Sequence, residues 1–74
     1  MNNYDFIKSI DKNLYLELVK RGVIPINIMT WVTIYESYND ELKRNKPTLS
    51  ATFTADKYNI SESSIWKIKA FMER

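Results

Sequence analysis

Between Ala51 and Phe71 the sequence ATFTADKYNISESSIWKIKAF carries two short apolar patterns of helical spacing, separated by a reversal at Asn59. No other feature constrains the fold as much. Two helices joined so tightly cross at a fixed angle and need a small residue where they meet. Ala55 stands there, inside an apolar run that includes Phe53 and Tyr58. The reversal itself requires a positive φ, which Gly adopts at least cost and Asn next, so Asn59 is a workable turn residue. Ile60 then plugs the space under the turn, Ser61 caps the following helix, and Glu62 suits that helix's positive end. Ile65, Ile68 and Met72 recur at three- and four-residue intervals and give the second helix one buried stripe. The opposite stripe is left free.

Upstream, a helical pattern begins near Asp5 and is interrupted around Ser9 to Asp11, where Asp11 caps a fresh helix running Lys12 to Arg21. Leu14 and Leu18, with Ile10, form its inner stripe, flanked by Leu16 or Val19. Lys20 and Arg21 followed by Gly22 mark its end. Val23 and Ile24 lead into Pro25, which disfavours a helical conformation at Ile24 and opens a new segment. The next helix runs from Asn27 to Arg44, with Ile28, Trp31, Ile34 or Tyr35, Tyr38 and Leu42 on one face. That spacing makes its aromatics a core stripe and not a platform for stacked bases. Lys43, Arg44, Asn45, Lys46 and Pro47 form a basic connection, after which Thr48 or Ser50 caps the first helix of the C-terminal pair. The expected fold is all-α, a small bundle of about four helices. It forms a single domain, 1–74, in which 1–46 supply supporting helices and 47–74 the final pair.

Composition narrows the chemistry. A chain of 74 residues with 45% hydrophobic and 14% aromatic residues can close a small core, and one Gly and two Pro argue against a sheet-and-turn fold or disorder. With no His and no Cys, the commonest general base, the thiolate nucleophile and the usual transition-metal ligands are all missing. A single glycine cannot build a phosphate-cradling loop, and Asp40 and Glu41, being adjacent, point in different directions on a helix. Neither catalysis nor a metal or cofactor is expected. No apolar run approaches the roughly 20 residues that span a bilayer, and the polar stretch Met1 to Asp11 is no secretory signal, so a cytoplasmic location is the expectation. Charge is uneven: residues 1–42 hold four cations against six acids, whereas residues 43–74 hold seven against three. The positive end is the one that carries the helix pair, as expected of a surface that meets phosphates.

The set Ala55, Asn59, Ile60, Ser61, Ile65 and Ile68 resembles the homeodomain-like helix-turn-helix superfamily over about a third of the chain. More weakly, the whole chain resembles small helix-turn-helix proteins of phages and mobile elements, in which a tryptophan-bearing helix precedes the motif. Two departures stand out, Asn59 where such families often have Gly and Thr54 where they often have an aliphatic residue. The resemblance implies double-stranded DNA as partner and a role in transcription regulation or DNA recruitment, with residues 62–72 as the recognition helix in the major groove. Helical spacing turns Glu62, Ser63, Trp66, Lys67 and Ala70 outward. The base-contact candidates are Ser63, Lys67 and Trp66, and the phosphate-contact candidates are Thr52, Lys57, Ser64 and Lys69. Trp66 lies beside the buried stripe and has two readings, packing against the long helix or lying in an interface. The competing function is a protein-interaction module, an adaptor or oligomerisation unit that keeps this shape without touching DNA. A homodimer is compatible with both.

Overall fold

The computed structural model describes residues 1–23 and 27–74, so Ile24 and Pro25 lie outside the described residues. It contains five helices and no strand among the described residues: α1 (Asn3–Ser9), α2 (Lys12–Lys20), α3 (Ile28–Leu42), α4 (Pro47–Tyr58) and α5 (Glu62–Met72). The all-α bundle is as expected, with five helices where about four were anticipated. The break at Ile10 and Asp11 is complete, both being extended, with ψ of 146° and 166°.

Local chemistry explains most of the ends. The side chain of Asn2 accepts from the Asp5 amide at 2.8 Å, Asp11 from Leu14 at 2.8 Å, and Ser61 from Ser64 at 3.1 Å. Each satisfies an amide that the first turn leaves without a helical partner. The start of α4 differs from expectation. Pro47 opens the helix and Lys46 precedes it without a side-chain cap, so neither Thr48 nor Ser50 is the cap. Proline needs no amide partner and comes with its φ preset, so it begins the helix earlier than a hydroxyl cap would. Ser50 is instead fully buried, its hydroxyl donating to the Lys46 carbonyl at 3.0 Å. Two helices end alike. After α2, Gly22 (φ 72°) donates to Val19 at 3.0 Å and Val23 to Leu18 at 2.9 Å. After α4, Asn59 (φ 56°) donates to Asp56 at 3.3 Å and Ile60 to Ala55 at 3.0 Å. This paired closure needs one left-handed residue, which is why Gly and Asn occupy these two places.

Helices α3, α4 and α5 pack mutually around the core. Ile28, Val32, Ile34, Tyr35 and Tyr38 of α3 meet Ala51 and Ala55 of α4 and Ile65, Ile68 and Met72 of α5. Ala55 is buried, and α4 and α5 pack closely, as the small residue allows. Three aromatic pairs lace the helices together: Trp31 with Phe71 (5.5 Å between centroids), Tyr38 with Trp66 (5.9 Å) and Tyr4 with Tyr35 (5.1 Å). Such offset or edge contacts add about 0.5–1.5 kcal/mol each beyond burial. Helix α1 docks on this unit through buried Ile7. The Asn3 amide donates to the Phe71 carbonyl at 2.7 Å, and Tyr4 donates to Glu36 at 2.6 Å beside the Lys8–Glu36 ion pair at 3.3 Å.

Three expectations fail, two through packing and one through an ion pair. Helix α2 buries no residue, and Leu14, expected on its inner stripe, is 44% exposed. Phe53, expected beside the helix crossing, is 48% exposed, because α4 turns Ser50, Ala51, Thr54 and Ala55 inward. The long helix keeps to its expected span of about Asn27 to Arg44, with Asn27 and Lys43 as its caps. Asp40 and Glu41 do not diverge: both accept from Arg44, at 2.9 and 3.3 Å, since a long guanidinium can fork to positions three and four residues back. Thr54 is 1% exposed and its hydroxyl has no hydrogen-bond partner among the described residues. This is the position at which an aliphatic residue would cost less. No helix among the described residues is long and apolar enough to cross a membrane.

Candidate functional site

One surface that the fold leaves free is the outer face of α5. With Ile65, Ile68 and Met72 turned inward, Glu62, Ser63, Trp66, Lys67 and Ala70 are all exposed, as helical spacing requires. Ser61 starts this helix and Asn59 sets its direction from α4, so the same two residues that terminate and initiate helices also aim the face. Trp66 packs against the long helix, the first of its two readings, and keeps part of its surface open. One edge packs on the Tyr38 ring of α3, and the side chain is still 41% exposed.

The candidate polar groups differ in how free they are. Ser63 and Lys67 have no hydrogen bond or ion pair among the described residues. Ser64 is half-buried, its hydroxyl 3.0 Å from that of Ser61 within the cap. Thr52 lies within reach of two acceptors, the Thr48 carbonyl at 3.0 Å and the Glu62 carboxylate, so its single proton ties α4 to the first turn of α5. The Lys57 ammonium sits 5.5 Å above the centre of the neighbouring Tyr58 ring. Lys69 is the most committed. Its ammonium reaches Glu73 at 2.8 Å, and that hydrogen bond raises the lysine pKa. Glu73 in turn is held below the usual carboxylate range, first by Lys69 and further by the Tyr35 hydroxyl, which donates to it at 3.0 Å. As an anchor for phosphate, Lys69 would first have to give up this partner.

Sequence reasoning missed two side chains near the site. A cleft of about 290 Å³ opens between α3 and α5, and Asn27 and Thr30 share its rim with Ser64 and Lys67. Trp31, Ile34, Ile60 and Ile68 also line it. No sequence signal joins Asn27 to Lys67, because the cleft exists only once α3 and α5 have crossed. On α4, Leu49 and Phe53 lie one turn apart and are both about half exposed, a second surface feature that spacing alone did not reveal.

A second groove, of about 410 Å³, lies between α1, α2 and the start of α3. Ile7, Ile10, Tyr15, Leu16 and Met29 line it together with Lys8 and Lys12. Among the described residues no three of His, Cys, Asp and Glu gather into a possible metal site. Compared with known proteins, the chain matches no family model, no curated protein and no solved structure.

Proposed function

We propose that the chain binds double-stranded DNA through α4 and α5 acting as a helix-turn-helix, with α5 in the major groove and α4 across the backbone. The observation that carries this reading is the junction: a left-handed Asn59, a buried Ala55 and the capping Ser61 hold α5 against α4 with its outer face uncovered. The resemblance to the homeodomain-like superfamily and the positive balance of residues 43–74 support it. Ser63 can meet several bases, Trp66 offers apolar surface to a thymine methyl, and Lys67 supplies a positive charge at the edge of the same face. The face holds no arginine or asparagine for paired contacts, so one copy selects sequence only modestly, and a twofold site read by two copies would sharpen it. The chain would then serve as a transcription regulator or DNA-recruiting factor in a cytoplasmic, DNA-associated setting.

The test is a titration of isotopically labelled protein with a mixed-sequence duplex at low and moderate salt, following every backbone amide by NMR. Shifts that weaken with salt and concentrate between Thr52 and Lys69 are the expected outcome. A silent α4–α5 pair would overturn the reading. The alternative, a protein-interaction module, is favoured by the exposed Leu49, Phe53 and Trp66. It requires concentration-dependent association in sedimentation that Phe53→Ser abolishes.

A further inference from the structure

We infer that the α3–α5 cleft seats one backbone phosphate of the duplex, with Lys67 as its cation and Asn27, Thr30 and Ser64 as neutral donors. This rests on the DNA-binding reading above. A helix with its side chains is about 10–12 Å across and the major groove about 12 Å wide, so the middle of an inserted helix face meets bases and its flanks meet the backbones. On α5 the middle of the exposed face is Ser63 and Ala70. Lys67 lies off that centre, toward α3, on the rim of the cleft.

The donors converge from two helices. Asn27 occupies the cap position of α3, but its side-chain oxygen accepts no cap bond and its amide hydrogens donate to no partner among the described residues, so both ends of the amide are uncommitted there. Thr30 and Lys67 also have no partner among them. Ser61 can donate its hydroxyl proton to Ser64, which leaves the proton of Ser64 for the cleft. No carboxylate lines the cleft, whereas Lys8, Arg21, Arg44 and Lys69 are each paired with an acid. Lys67 is thus a cation of α5 whose charge is not already answered. The apolar floor of Trp31, Ile34, Ile60 and Ile68 keeps water from one side and strengthens a charge contact made against it.

Charge selects the ligand. One lysine matches the single negative charge of a phosphodiester better than the nearly double charge of a free phosphate monoester. The cleft, of about 290 Å³, is open to solvent, so a sugar-phosphate unit can pass along it.

The experiment measures duplex affinity of the full chain by fluorescence anisotropy across a salt series. It compares wild type, Lys67→Ala and the double variant Asn27→Ala/Thr30→Ala on a panel of single-base variants and of duplexes carrying a neutral methylphosphonate at one phosphate at a time. Both positions of the double variant are on the surface, and circular dichroism checks its fold. Lys67→Ala is expected to weaken every sequence alike and to lower the slope of log affinity against log salt by about 0.9. One methylphosphonate position should weaken wild type about tenfold, the scale of one charged hydrogen bond, and should not weaken Lys67→Ala further. Binding that is intact but loses selectivity at one base pair in Lys67→Ala, with no coupled phosphate, would make Lys67 a base reader and sink this inference alone. Displacement of the duplex from wild type, but not from Lys67→Ala, by inorganic phosphate at matched ionic strength would replace the backbone with a free anion. Absence of any duplex binding by wild type would overturn this inference together with the DNA-binding reading.

Discussion

Helices α2 and α5 are similar in length and both begin with a side-chain cap, yet they owe their helicity to different things. Helix α5 buries Ile65, Ile68 and Met72 between two neighbours, while α2 buries nothing. An isolated helix of nine residues is marginal in water, so α2 depends on Asp11 at its start, Gly22 at its end and the partial cover of Tyr15, Leu18 and Val19. The lesson is that good local signals form a helix without making it part of the core. The α3–α5 unit is the stable scaffold, α1 is tied to it by long-range hydrogen bonds, and α2 is its most loosely held appendage.

The sharpest test of this contrast is a pair of truncations. Ile65→Ala should cost about 2–5 kcal/mol in urea unfolding, as buried aliphatic deletions do, whereas Leu14→Ala should change stability by no more than about 0.5 kcal/mol. Equal losses would mean that α2 is covered in solution. A finer comparison uses the two caps. Asp11→Ala and Ser61→Ala each remove a bond worth about 1 kcal/mol at a helix start. Ser61→Ala should lower the global unfolding free energy, but Asp11→Ala should speed amide hydrogen exchange within α2 and leave α3–α5 protected. Loss of protection throughout the chain in Asp11→Ala would show that α2 unfolds with the rest.

Acid offers the smallest and most local perturbation. Glu36, which joins α1 to α3, is held low first by the Tyr4 hydroxyl and then by Lys8. The same bond pushes Tyr4 up to about 12. Glu73, which joins α5 to α3, is also lowered. A carboxyl whose folded pKa lies below its ordinary 4.5 stabilises fully above that value and loses the contribution as pH falls through the lower one. Stability should therefore drop below about pH 4.5. The drop should be under about 1 kcal/mol for each group, because both side chains are near 40% exposed and solvent screens them. Urea midpoints at pH 6 and pH 3 measure it, and Glu36→Gln should remove its share of the difference while loosening only α1.

Legibility followed the range of the interaction. The turn at Asn59, the caps at Asp11 and Ser61, the stop at Gly22 and the inward stripe of α5 could all be read in advance, because each rests on contacts within about one helical turn. So could the outward set Ser63, Trp66 and Lys67, which follows from that stripe by geometry. The start of α4 was misplaced because two local signals competed, and Pro47 prevailed over the hydroxyls behind it. The exposure of Leu14 and Phe53 was not legible. An apolar residue at helical spacing offers a face to be covered, but another element must arrive to cover it.

The sequence by itself therefore determined an all-helical chain, where most of its helices start and stop, and which face of α5 looks outward, since these depend on backbone hydrogen bonds and side chains close together along the chain. Only the tertiary structure decided which apolar faces are buried, that Ser50 and Thr54 lie inside while Phe53 lies outside, that Glu73 answers the charge of Lys69, and that Asn27 and Thr30 stand across a cleft from Lys67. Those outcomes depend on how α3, α4 and α5 cross. Close packing brings distant residues together by shape and volume, which the spacing of residues within any one helix does not encode.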